Sequence, residues 1–308
     1  MAVDDSIEET ARTTQTNLNY LLPGPDINRR FVSAGVEVNT GTYGPYPTTI
    51  RDGRTIREHF SFDRHGFRLL DAPTHVADFH DKAEVEADYQ AEVCAHVKEA
   101  YGADLVVAQG WMLRTSGDIP EKPKPPADGN KKTEAYRHYG GLQPAAGEVH
   151  VDTEPSRQLR AAQRLYAKAR PDGPGFKRFV MSSFWRTFSP GPQDCPLAVC
   201  DGRSVRDDEG TPNVLWVVDR IPEGEAMFAP MDDDAQLAAA IFRHSPGHRW
   251  WYFSSMQKDE ALLFKFHDSE RRGAGWGWRV PHSAFWDSSF PDAKPRSSIE
   301  CRTISFWE

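Results

Sequence analysis

Residues 147 to 156 read GEVHVDTEPS and set Glu148, His150, Asp152 and Glu154 at every second position. A β-strand sends alternate side chains to one face. These four groups therefore line up together, while Val149 and Val151 turn the other way. His150 and Asp152 offer one nitrogen and one oxygen ligand from a single strand. A mononuclear iron(II) oxygenase needs two imidazoles and one carboxylate on a triangular face, with the opposite positions open for cosubstrate and dioxygen. His282, far downstream in RVPHSAF, has the separation expected of a third ligand on a late strand that lies beside the first in a jelly roll.

A dicarboxylate cosubstrate calls for a guanidinium, whose planar fork meets a carboxylate at two points. Arg296 follows His282 in PRSSIECRTISF, and Ser298 can add a hydroxyl donor to the same carboxylate. Arg302, inside that strand, is a second candidate. Arg186, in FWRTF, either faces the cofactor from a neighbouring strand or stacks on Trp185. An HxD tripeptide is common by itself; the order HxD, distant His, then RxS opening the last strand carries the specificity.

Plainer readings compete at each position. His150 and Asp152 also suit an ordinary polar pair on a strand, and His282 a turn residue beside Pro281. His267, in KFHDS, is the rival third ligand and ranks second. His244 and His248 mimic a helical zinc pair, but Pro246 and Gly247 between them break a helix. Glu148 and Glu154 either hydrogen-bond the imidazoles or reach solvent. GAGWGW lacks the strand-to-helix context of a phosphate loop, and no GxSxG elbow is present.

The elements that must position these groups are mostly strands. Residues 31–70 hold β-like pieces broken by Gly and Pro. Over 78–101 the spacing of Val85, Tyr89, Val93 and Val97 predicts an amphipathic helix, stopped at Gly102. DLVVAQGWMLRTS reads as a buried strand, and PSRQLRAAQRLYAKA as a helix. Then comes a series of short strands, with DDDAQLAAAIF as the one interruption. Residues 116–140, rich in Pro, Lys and Gly, read as a surface loop; with 271–280 they are expected to shape the substrate pocket, Trp276 or Trp278 walling it. The expectation is a mainly β double-stranded β-helix, a jelly-roll or cupin-like core with flanking helices. Residues 1–18 are expected to be disordered and 19–308 to form a single oxygenase domain.

With 308 residues, a net charge of -8 and a pI near 5.8, the chain lacks the basic face that a nucleic-acid partner requires. No apolar run approaches a membrane span. The acidic, polar N-terminus reads as neither signal peptide nor presequence. Four cysteines without a CxxC pair read as reduced thiols of a cytoplasmic protein. A homo-oligomer stays open.

The order HVD, WRTF, PLAVCD, HRWWYFSSMQKDEALLFKFHDS, PHSAF and RSSIECRTISF resembles the fungal and bacterial hydroxylase/desaturase family. That family includes gibberellin desaturase, the aspergillic-acid cluster hydroxylase and a subunit of cephalosporin 7-alpha-methoxylase. FSFDRHGFRLLDAPTHVADFHD is similar to its N-terminal half, so the likeness runs from about residue 35 to the C-terminus. The resemblance implies an iron(II)- and 2-oxoglutarate-dependent enzyme with a double-stranded β-helix core, binding iron through His150, Asp152 and His282. Both RSS and CRT match the family's 2-oxoglutarate arginine. The implied reaction consumes 2-oxoglutarate and dioxygen and hydroxylates or desaturates a small specialised metabolite. A non-catalytic cupin-like binding protein, or a subunit that needs a partner chain, is the alternative.

Overall fold

The computed structural model describes residues 5–24, 26–33, 36–119, 142–155, 158–229, 237–270 and 277–308. The predicted helix forms as a short turn α1 (Lys82–Glu84), a π-helical turn (Val85–Tyr89) and α2 (Gln90–Tyr101). Asp81 caps it by accepting from the backbone N–H groups of Ala83 and Glu84. Val85, Tyr89, Val93 and Val97 are fully buried against Phe184, Leu263, Ile299 and Cys301. Each such burial contributes roughly 1.5–3 kcal/mol. Gly102 ends the helix at φ 62°, a left-handed cap that favours glycine.

Strands make up most of the rest. One sheet has ten, in the spatial order β1 (Thr13–Leu21), β4 (Tyr43–Asp52), β13 (Trp250–Tyr252), β10 (Leu197–Cys200), β15 (His282–Ala284), β8 (His150–Val151), β12 (Leu237–Ile241), β11 (Thr211–Val217), β2 (Asn28–Ser33) and β3 (Val36–Asn39). The other has six, in the order β5 (Phe67–Asp71), β14 (Glu260–Asp268), β9 (Arg178–Thr187), β16 (Ser297–Trp307), β6 (Leu105–Thr115) and β7 (Leu142–Pro144). Side-chain alternation divides the six-stranded sheet. Phe184, Ile299 and Cys301 face the α2 side, while Met181, Trp185, Phe264, Phe266 and Ile304 join the core shared with Val199, Trp251 and Phe285 of the larger sheet and its loops. This is the expected jelly roll, and α3 (Gln158–Ala169) follows the HxD strand as expected.

Two expectations fail. DDDAQLAAAIF is no interruption: its described part is β12, which pairs Ala240 with Val151 and Ile241 with His150. Alanine has little preference for strands, but β11 pairs with β12 along its whole length, from Thr211↔Ile241 to Leu215↔Leu237, and supplies most of its backbone partners. The N-terminus also departs from the disorder expected through residue 18. Asp5–Thr10 is a 3₁₀ helix, and β1 pairs with β4 from Thr13↔Arg51 to Leu21↔Tyr43. Glu8 is buried there, accepting from Arg203 Nη2 and, at 3.0 Å, meeting His59 Nε2. An acidic segment is thus tied down by partners distant in sequence. Residues 120–141, Ser156 and 271–276, with Trp276, lie outside the described residues.

The same anchor gives a pH dependence. His65 Nδ1 accepts the Ser61 N–H at 3.1 Å, which needs an imidazole unprotonated at that atom. Burial, with Arg203 nearby and against Asp201, pushes its pKa down to about 4. A histidine depressed on folding leaves the unfolded chain binding the extra proton. Its stabilisation is therefore complete above about pH 6.5 and lost as the pH falls toward 4, on the order of 2–3 kcal/mol. Urea midpoints measured across that window should fall more steeply for the wild type than for His65→Gln; parallel curves would contradict this.

Candidate active site

β8 lies between β12 and β15, and the register sets His282 directly opposite His150. The two rings lie 4.3 Å apart between centroids. Asp152 follows β8 by one residue and, two positions from His150, turns to the same face. Its Oδ1 is 3.7 Å from His150 Nε2 and its Oδ2 3.6 Å from His282 Nε2. All three expected ligands thus converge, with one ligand atom from each within 4.8 Å of the others.

Backbone carbonyls fix both imidazoles. His150 Nδ1 lies 2.8 Å from Glu148 O, and His282 Nδ1 lies 3.1 Å from Val280 O. A carbonyl only accepts, so each Nδ1 carries the proton and each Nε2 keeps its lone pair for the cluster. Burial and the neighbouring His282 lower the His150 pKa, which favours the neutral, ligating form. Burial alone would raise the Asp152 carboxyl; Arg302, with both imidazoles, instead holds it well below the usual range. Two neutral imidazole nitrogens and an ionised carboxylate oxygen are a fitting donor set for iron(II). Glu8, His59 and His65 also converge, but the Arg203 guanidinium already occupies the Glu8 carboxylate and stands where a metal would bring like charge.

A cavity opens beside the cluster, with His150 and His282 in its wall. Trp185, Phe264 and Leu197 give it apolar sides, while Arg296, Arg114 and Glu300 supply charge. Arg296 is 1% exposed. Its Nη1 donates to Cys195 O at 2.8 Å, its guanidinium lies 5.5 Å over Trp185, and its Nε has no partner. It makes no ion pair with a carboxylate among the described residues. Burial pulls its pKa down to about 10. A buried cation without an anion is costly. Ser298 is buried two residues on and donates to Arg114 O at 3.4 Å.

The other sequence candidates lie elsewhere. Arg302 Nη2 makes an ion pair with Asp152 Oδ1 at 2.9 Å. Arg186 is fully buried on the α2 side, where it donates to Tyr89 Oη and Lys258 O and packs on Phe184, so it does not reach the cavity. The rival His267 stacks on Phe179, away from the cluster. Trp278 donates to Asp207 and lines no part of the cavity. His244 stacks on Tyr46, and His248 pairs with Glu209. Sequence reading missed Arg114, Glu300 and Phe264 in the cavity wall. No motif marks them, and only the strand register brings them in.

Comparisons with known proteins bear on the family and the fold. A model of the protein family described as "YDMC: Oxidoreductase/YMDC permease-like domain" matches residues 18–306. No helix among the described residues is long and apolar enough to cross a membrane. The hydroxylase/desaturase efuI of Hormonema carpetanum is 32% identical over 301 residues, covering 96% of each chain. The Fe(II)/2-oxoglutarate-dependent dioxygenase nvfI of Aspergillus novofumigatus is 30% identical over 270 residues, 85% of this chain and 84% of that one. Among solved structures, the iron and alpha-ketoglutarate-dependent endoperoxidase NvfI superposes with a TM-score of 0.74 over 96% of this chain and 98% of its own, at 24% identity. That likeness bears on the fold.

Proposed function

The chain belongs to the oxidoreductase family of the fungal hydroxylase/desaturases and Fe(II)/2-oxoglutarate-dependent dioxygenases, and from that premise we propose that His150, Asp152 and His282 hold its iron(II) while Arg296 and Ser298 grip the far carboxylate of 2-oxoglutarate. It is an iron(II)/2-oxoglutarate-dependent oxygenase that hydroxylates or desaturates a small-molecule specialised metabolite. The observation that carries the assignment of residues is Arg296, a buried guanidinium without a carboxylate, in one cavity with the two imidazoles.

Iron bound there with 2-oxoglutarate and dioxygen would supply an oxidant strong enough to take hydrogen from an unactivated C–H bond, one oxygen atom of the dioxygen entering the succinate that forms with carbon dioxide. The chain's own residues do the rest. The carbonyls of Glu148 and Val280 keep both Nδ1 atoms protonated, which fixes the direction of each Nε2. Trp185, Phe264 and Leu197 exclude water and hold an organic substrate beside the cluster. Arg114, whose Nη1 is held by Pro144 O at 2.9 Å, adds positive charge on the cosubstrate side. Placement in the cytoplasm fits the four free cysteines.

No observation favours a non-catalytic cupin-like protein or a chain that needs a partner. The test is to incubate the purified chain with iron(II), 2-oxoglutarate and dioxygen and to measure succinate. Succinate above the metal-free control supports the enzyme. Its absence, with iron and 2-oxoglutarate both bound, would turn the reading to a binding protein.

A further inference from the structure

Arg302 is no spare copy of Arg296. Positions 296, 298, 300 and 302 share one face from the start of β16 onward, yet the two arginines meet different neighbours. Arg296 ends against Cys195 and Trp185. Arg302 lies over Phe266, the ring that stacks on His282 at 5.7 Å. There its Nη2 makes an ion pair with Asp152 Oδ1 at 2.9 Å, and its Nε donates to Glu300 Oε1 at 3.0 Å. Nε and Nη2 form one edge of the planar guanidinium, so a single rigid fork holds the two carboxylates at a fixed separation. Lysine, a point charge on a flexible stem, cannot do this. Glu300 is itself buried and takes a further hydrogen bond from Ser183 Oγ at 3.3 Å.

We propose that Arg302 is a positioning residue for the carboxylate ligand: it pins Asp152 Oδ1, Glu300 pins Arg302, and Asp152 Oδ2 is thereby kept turned toward His282 and the metal. The inference rests on the reading of His150, Asp152 and His282 as metal ligands. A carboxylate at the end of a two-residue strand has little backbone pairing to hold it, and the fork supplies the missing restraint. The opposing effect is repulsion between a guanidinium and a dication a few ångströms away. The sign of the change in metal affinity when Arg302 is replaced therefore decides between them.

The experiment titrates cobalt(II) into the full-length chain without dioxygen, reading metal affinity by calorimetry and ligand geometry from the visible cobalt absorption. Arg302→Gln should weaken metal binding about 10- to 100-fold, the usual cost of losing a partner that orients a ligand. It should also alter the cobalt spectrum, while 2-oxoglutarate affinity at saturating metal stays within about threefold of wild type. Glu300→Gln retains an acceptor for Arg302 Nε and should stay near wild type, whereas Glu300→Ala should lose part of the affinity. This pair decides the matter even if Arg302→Gln fails to fold. Unchanged or tighter metal binding in Arg302→Gln overturns the inference, as does a loss confined to 2-oxoglutarate. In both cases the metal-site reading survives through the wild-type titration. Failure of the wild type itself to bind metal would remove both.

Discussion

His150→Ala and Asp152→Ala should each abolish iron(II) binding and succinate formation, with turnover falling at least a thousandfold, about 4 kcal/mol of barrier. Three protein atoms converge on one point, each with its direction already set. Removing one leaves two ligands, too few to keep a metal against water and buffer. The backbone pairing of β8 with β12 and β15 does not depend on these side chains, so the variants should fold. Ligand binding stabilises only a folded state that holds the ligand. Iron(II) added without dioxygen should therefore raise the melting temperature of the wild type and leave both variants unmoved. Asp152→Ala should also lose some stability without metal, because Arg302 keeps its charge and loses a partner. Iron-dependent turnover by either variant would contradict the assignment.

The second large effect belongs to Arg296. Arg296→Met should raise the KM for 2-oxoglutarate by a factor set by losing one member of a buried charge pair, roughly 2–5 kcal/mol, or about thirtyfold to several thousandfold. Iron affinity should stay near wild type. Stability should move the other way. Without cosubstrate, the buried guanidinium has a single carbonyl partner and an unpaired Nε. An apolar side chain of similar size removes that cost and should stabilise the cosubstrate-free protein by about 1 kcal/mol or more. Arg296→Lys restores charge without the two-point fork and should recover only part of the affinity. Arg186→Met, on the α2 side of the sheet, should leave the 2-oxoglutarate KM unchanged. If Arg186 rather than Arg296 controlled that KM, the cavity would be misassigned.

The convergence of His150, Asp152 and His282 was legible in the sequence because two of the three sit on one stretch that reads as a strand. Alternation on one strand pairs His150 with Asp152, and a late strand in a jelly roll returns His282 beside them. The arginines were legible only as a set. Arg296 and Arg302 share a strand face and similar surroundings in sequence, and what separates them is Asp152, brought to Arg302 by a fold-level contact. Arg114 lies in a segment that reads as a buried strand and Glu300 between the arginine candidates, and no motif marks either. Their place in the cavity follows from the pairing of Ser298 with Arg114 across β16 and β6, which no short-range pattern encodes. β12 was hidden by its alanines, and the N-terminal anchor by distance, since the partners of Glu8 lie 51 and 195 residues away. Helix α2, a regular apolar stripe with a glycine stop, depends on neither and was read almost to its last residue.

The central claim is that one cavity holds iron on His150, Asp152 and His282 and 2-oxoglutarate on Arg296. Anaerobic titration of the purified chain with iron(II) and 2-oxoglutarate, followed by visible absorption, tests it most directly. A weak metal-to-ligand charge-transfer band should grow in with the cosubstrate, be absent from His282→Ala, and require far more 2-oxoglutarate in Arg296→Met. Bound iron with no band at any 2-oxoglutarate concentration would contradict the claim.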